Sequence, residues 1–449
     1  MSLPRFSPRL RLLPLLIALG AGGMSLSVQA QSLVDVYTAA RNYDAAYQSA
    51  KLQFDASQAK ADQARALMLP TVGLSAGVSQ INQDTQSPVS ANYSYGSESA
   101  TIAASQPLYR PGNLASFEQG KKSAELAQAQ LAVAEQDLIV RVSQAYFDVL
   151  AASDTLDFVK TQKSAVGEQL ASAKRNFEVG TSTITDSREA QARYDLGTAQ
   201  ELAAENDLLV KRLALDTVTG LAQAQPKPLA IPVVLRPVQP TDVNLWVDQS
   251  QANHPSVVLA TLALDIAKLE TAKAEAGHKP TLDLTGSYTT AATNNGSSIS
   301  ANANSRGNQA SVGLAFNLPL FAGFATQNRI KETLALEEKA RTDLEAARRA
   351  VAQATRTAYF GLQSGLAQVS ALQAAQASSL SALEANKLGY QVGVRINIDV
   401  LNSESQLFDT RAKLAKARYD VLVGGLKLRQ ANGSLKADDL QAINGLLAQ

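Results

Sequence analysis

Apolar and polar residues alternate with period two in four short segments of the chain, separated by much longer stretches that do not alternate. From Thr71 to Ser79, Val72, Leu74, Ala76 and Val78 share one face, and Thr71, Gly73, Ser75, Gly77 and Ser79 the other. That is the pattern of a half-buried β-strand. Ala100, Ile102 and Ala104 repeat it ahead of Pro107. Leu282, Leu284, Gly286 and Tyr288 alternate against Thr281, Asp283, Thr285 and Ser287, and Val312, Leu314, Phe316 and Leu318 against Ser311, Gly313, Ala315 and Asn317. Four strands are therefore predicted. Pro70, Pro107, Pro280 and Pro319 fall where helix and strand exchange, because proline ends a helix and lacks the N–H a ladder needs. The polar stretches 82–96 and 293–308 read as turns that face water.

Outside the strands the signal is helical. Leu33 to Met68 is Ala-rich and reads as one helix that Pro70 ends. Asn113 to Glu178 and Thr326 to Gln391 each run without a single proline. At about 1.5 Å rise per residue each spans roughly 100 Å, far beyond an ordinary globular helix. Leu156, Val159, Val166, Leu170, Ala173 and Phe177 trace a heptad seam interrupted at Lys163, and Val369, Leu372, Leu383 and Tyr390 keep part of it. Gly180-Thr181 and Gly393-Val394 then turn each helix back on itself, giving two long helical hairpins.

The two halves are related. Ala145-Tyr146-Phe147 recurs as Ala358-Tyr359-Phe360, Phe177-Glu178-Val179-Gly180 as Tyr390-Gln391-Val392-Gly393, and Thr219-Gly220 as Asn432-Gly433, every pair at the same separation along the chain. A constant offset over so long a stretch points to duplication of one unit. Between the halves lie Pro226, Pro228, Pro232, Pro237 and Pro240, a density suited to an extended connection. The expected organisation is 1–30 as a signal peptide, 31–225 as a first repeat, 226–240 as a linker and 241–449 as a second repeat.

The first segment rests on Arg5, Arg9 and Arg11, the apolar run Leu12 to Leu19 and the small-residue site Val28-Gln29-Ala30. Secretion is the expectation. The chain has no cysteine, which argues against an acylated N-terminus and a structural disulfide. Net charge is +1, and removal of those three arginines leaves 1 − 3 = −2, so nothing suggests a nucleic-acid partner. His254 and His278 are not at metal-ligand spacing, and there is no phosphate-cradling Gly-Lys-Ser/Thr loop or nucleophile elbow. No enzyme, metal or cofactor chemistry is expected.

Four strands cannot close a barrel, since the smallest membrane barrels use about eight, and an open apolar-faced sheet leaves unpaired edges. Three chains would supply twelve. Taken together, the duplicated unit, the strand openings Leu69-Pro70-Thr71 and Lys279-Pro280-Thr281, the strand exits Gln106-Pro107-Leu108-Tyr109 and Leu318-Pro319-Leu320-Phe321 and the hairpin tips make the chain resemble TolC-like outer-membrane efflux proteins over its mature length. The resemblance implies an α+β membrane protein: a homotrimeric, twelve-stranded β-barrel in outer-membrane lipid, continued across the periplasm by an α-helical barrel with coiled-coil tips. It implies a passive exit duct for small molecules or proteins, working with a periplasmic adaptor and an inner-membrane efflux pump or ABC secretion translocase. The competing reading is a periplasmic coiled-coil scaffold or adaptor without a pore, which has no use for four alternating strands.

By position, the resemblance also assigns a gate to the tips. Arg395 would reach Thr185 or Asp186, and Tyr390 would hydrogen-bond Asp186. Asp399 would line the constriction as a ring of carboxylates. The second acidic position of the family is Asn402 here, which halves the ring charge, and Glu404 lies on a different face of its helix.

Overall fold

The structure, a computed structural model, describes residues 30–86, 91–230, 232–296 and 303–448. The expected signal peptide lies outside them, apart from Ala30. One order of elements occurs twice. The first pass is α1 (Leu33–Tyr43), α2 (Ala45–Ala66), β1 (Thr71–Thr85), β2 (Ala91–Tyr109), α3 (Pro111–Glu178) and α4 (Ile184–Thr219). The second is α5 (Val243–Asn253), α6 (Pro255–Glu275), β3 (Thr281–Asn294), β4 (Ser305–Asn317), α7 (Ala325–Gln391) and α8 (Asn397–Asn432), followed by a short α9 (Asp439–Asn444).

The long helices are as the proline-free stretches predicted, 68 residues in α3 and 67 in α7. Pro111 opens α3, where its missing N–H costs nothing. Gly220 and Gly433 end α4 and α8 in the left-handed conformation, at φ 70° and 80°.

Two expectations change. The single helix 33–68 is two helices, broken at Asp44. The Asp44 carboxylate accepts from the Tyr47 amide at 2.8 Å, capping α2, and from both terminal nitrogens of Arg141 at 2.9 and 3.0 Å. An aspartate that caps a helix takes extended backbone itself, so the preceding helix stops there. The strands also run into the predicted turns, to Thr85 and Asn294 on one side and from Ala91 and Ser305 on the other. Polar residues pair across these extensions, with Ser94 donating to Asn82 at 2.6 Å and Thr293 meeting Ser305 at 2.9 Å. At the other end β2 passes Pro107 and reaches Tyr109 through a register shift, which accommodates the missing donor.

The four strands form one antiparallel sheet in the order β1-β2-β3-β4, so the two repeats meet at β2–β3. The register aligns Leu74, Ile102 and Tyr288 in one row and Leu284 with Leu314 in another. This apolar face is uncovered: Val72, Val78 and Val312 are 71, 82 and 84% exposed. Among the described residues no helix is long and apolar enough to cross a membrane.

The largest core sits where α3 and α8 pass each other at mid-length. Tyr146 and Phe147 meet edge to face at 5.4 Å, and Phe147 stacks on Tyr419 at 5.6 Å. The Tyr146 hydroxyl donates to the carbonyls of Gln31 and Lys227, tying the start of the chain and the Pro-rich connection to α3. Its counterpart Tyr359 donates to Thr241 at the far end of that connection. The connection is therefore fastened at both ends, and Leu229 and Leu235 pack on the core.

Candidate functional site at the hairpin tips

Both tips are built alike. Gly180 and Gly393 each take φ 78°, open to glycine at no steric cost, and return the chain after α3 and α7. The Thr181 and Ser182 amides donate to Asn176, and the Val394 and Arg395 amides to Gly389. A Cβ on Gly389 would lie 2.7 Å from the Arg395 stem, so the glycine lets that side chain lie across α7.

The following helix starts differently in each. Thr183 caps α4 in a capping box with Asp186: the Asp186 amide donates to the threonine hydroxyl at 3.3 Å, and the carboxylate accepts from the Thr183 amide at 3.1 Å. The same carboxylate accepts from the Ser182 and Thr183 hydroxyls at 2.7 and 2.8 Å. The Ser182 bond, ahead of those from Thr183, holds the Asp186 carboxyl below the usual aspartate range. In the second tip Arg395 stands where Ser182 stood and Ile396 where Thr183 stood. Ile396 offers no side-chain cap, and Asp399 faces Arg395 at 3.6 Å.

Within the chain, the bonds expected of Asp186 are not formed. Its carboxylate is taken up by its own helix start, where the Ser182 and Thr183 hydroxyls and the Thr183 amide donate to it. Tyr390 instead accepts from the Asn176 amide at 3.5 Å, and Arg395 pairs with Asp399 rather than with Thr185 or Asp186. Thr185 is exposed. The Asn402 amide oxygen accepts from Arg193 on α4 at 2.7 Å. Glu404 is buried beside Lys387, at 3.3 Å, on the packing side of α8 and away from Asp399, as its helical position predicted.

The two hairpins lie side by side. Leu401 of α8 packs with Val166, Leu170 and Ala173 of α3 and Ala190 of α4, and Gln162 of α3 donates to Ser405 of α8 at 2.9 Å. Asn176, Ser182, Thr183 and Arg193 join the site without a role assigned from the sequence. For Thr183 a signal was present, since Thr-x-x-Asp ahead of a helix is a capping-box pattern. Asn176 and Arg193 carried none, because their partners lie in the other repeat.

The chain matches the family described as outer membrane efflux protein over residues 36–221 and again over 246–434. It is 34% identical to outer membrane protein TolC of Vibrio cholerae, covering 97% of this chain and 98% of the relative. It is 30% identical to the alkaline protease secretion protein AprF of Pseudomonas aeruginosa, covering 92% of this chain and 87% of the relative. The fold is that of the Campylobacter jejuni CmeC outer membrane channel, with a TM-score of 0.76 over 99% of both chains at 15% identity.

Proposed function

We propose that this chain, which belongs to the outer membrane efflux protein family, is one of three identical subunits of a duct. Its sheet forms a third of a twelve-stranded barrel in outer-membrane lipid, and its hairpins form a third of a helical tunnel that narrows at the tips. The observation that carries this is the uncovered apolar face of a four-stranded sheet with two free edges, β1 and β4. Lipid covers such a face, and β4 pairing with β1 of the next chain removes the edges.

The repeats supply a second argument. Phe147 of α3 is covered by α8 and is 1% exposed, while Phe360, its counterpart in α7, is 54% exposed. The helix that would cover Phe360 by the same relation is α4, the counterpart of α8, and it belongs to the next subunit. Leu202, Leu209 and Leu213 of α4 are exposed and unclaimed within the chain. Repeating the α3–α8 contact as α7–α4 around an axis makes a closed ring of alternating hairpins.

The duct carries no energy-coupling motif, so a periplasmic adaptor and an inner-membrane pump or ABC secretion translocase would drive small molecules or proteins through it. The repeat boundaries near 225 and 241 divide each subunit into two similar arms. The gate is assigned to Asp186, Thr185, Tyr390 and Arg395, meeting across subunits rather than within one, and the constriction to Asp399 with Asn402 beside it. Three Asp399 carboxylates around an axis attract cations and would hold a divalent ion. Planar-bilayer recordings of the mature protein test this reading. Small cation-preferring currents that a divalent cation blocks from the tip side, and that Asp399→Ala frees from block, support it. Folded protein without conductance would sink it.

A further inference from the structure

The two hairpins differ at one equivalent contact in a way the duct does not explain. In the first, Lys174 of α3 donates to Gln191 of α4 at 3.1 Å on an exposed surface. The equivalent positions of the second repeat are Lys387 and Glu404. Here the neutral glutamine has become a carboxylate whose side chain is 3% exposed. One oxygen accepts from Lys387 at 3.3 Å, and the other, Oε2, has no partner. Leu401 and Leu407 flank it on α8, both buried.

Two charged groups face this carboxylate. Lys387 reaches it from α7, and Glu168 repels it from α3. From α4, Arg193 reaches α8 but donates to Asn402. Two helical turns before Glu404, on the same side of α8, Asn397 is 2% exposed and neither its amide nitrogen nor its oxygen has a partner. Its counterpart Ile184 is exposed. The tip half of α8 therefore packs two polar groups with orphan atoms into its seam, and α4 packs none at those places. Orphan buried atoms of this kind penalise the packed arrangement relative to one in which water reaches them.

We propose that Glu404 is a proton-operated latch on the second hairpin: protonated, it keeps the start of α8 packed against α7 and α3, and ionised, it favours an arrangement in which α8 lifts and the carboxylate meets water. The proposal rests on the reading of the tips as the constriction, and it adds a regulator to that site. Burial raises the Glu404 carboxyl above its ordinary value, Lys387 opposes the shift and Glu168 adds to it. A carboxyl that is raised in the packed state binds its proton more tightly there. Packing is thus fully favoured below the ordinary glutamate value of 4.5 and is lost as pH rises through the raised value. Each pH unit between the two values changes the packed-to-lifted ratio about tenfold.

The test is amide hydrogen exchange on the detergent-solubilised full chain at about pH 5 and about pH 7.5, corrected for intrinsic rates, with channel recordings alongside. Amides at 397–408 are expected to lose protection several-fold at the higher pH, while amides at 184–195 of α4 do not change. Glu404→Gln is expected to give the acid pattern at both pH values, and Lys387→Gln, by raising the packed-state value further, to deepen the loss of protection at the higher pH. A step that survives in Glu404→Gln, or that α4 shares equally, overturns the latch. An exchange step that follows Glu404 without any conductance would support the latch and count against the duct.

Discussion

Asp186 and Asp399 stand at the same place in the two repeats, at the third position of the helix that leaves each tip, yet Asp186 is held by Ser182 and Thr183 at 2.7 and 2.8 Å while Asp399 faces Arg395 at 3.6 Å. Replacing one hydroxyl by Arg395 and the other by Ile396 turns a capping carboxylate into one that makes no cap and pairs with Arg395. The two repeats therefore start the returning helix differently, one with a side-chain capping box and the other without a side-chain cap.

Ile396→Thr is expected to reverse that change. A restored capping box stabilises the first turn of α8 by about 1 kcal/mol, roughly a fivefold gain in amide protection there. It also draws Asp399 inward, so block by a divalent cation weakens. Thr183→Ala is expected to cost α4 a similar amount. Equal protection in Ile396→Thr and the parent would contradict this account of the tip.

The Tyr419 hydroxyl donates to Asp154 at 2.6 Å inside the mid-length core. Burial raises the Asp154 carboxyl and this bond opposes the shift. Tyr419→Phe leaves a half-buried carboxylate without that donor, at a cost of about 1 to 3 kcal/mol at neutral pH. Without the bond Asp154 takes up a proton more readily in the fold, so the loss shrinks as pH falls. Thermal unfolding at neutral and mildly acidic pH should show a larger drop in midpoint at neutral pH.

Arg141→Met removes the two-pronged partner of buried Asp44 and is expected to cost about 3 kcal/mol. The Arg141 guanidinium, ahead of the Tyr47 amide, holds the Asp44 carboxyl below its ordinary value, against the effect of burial. Its contribution is present above the ordinary aspartate range and is lost as pH falls through the lowered value. The parent should lose this stability in strong acid and Arg141→Met should not, which denaturant titrations across that range would resolve.

Features that depend on neighbours in sequence were legible, and those that depend on distant partners were not. The ends of α3 and α7, the turns at Gly180 and Gly393 and the junction prolines follow from local backbone preference. Alternation in β2 and β3 revealed a face for each strand but not that Ile102 lies beside Tyr288, a pairing that joins one repeat to the other. The repeated Ala-Tyr-Phe was visible as a pattern, while its work, two tyrosines fastening the ends of one connection, needed the packing of α3 and α7. At the tips, position in the resembled family implied that Arg395 meets Thr185 or Asp186. The nearer donors of the capping box prevail within one chain, because they require no further ordering of a long side chain.

Ring closure is tested most directly by the contact that the repeats imply but a single chain cannot make. Gln162 and Ser405 meet within the chain, and their counterparts, Ala375 of α7 and Ala192 of α4, are both exposed. The chain has no cysteine, so Ala192→Cys with Ala375→Cys places thiols only at this contact. Treatment of the folded double variant with a short bismaleimide should give covalent dimers and trimers and nothing larger, while each single variant stays monomeric. A product confined to monomer, ending at dimer or continuing past trimer would contradict a closed ring of three.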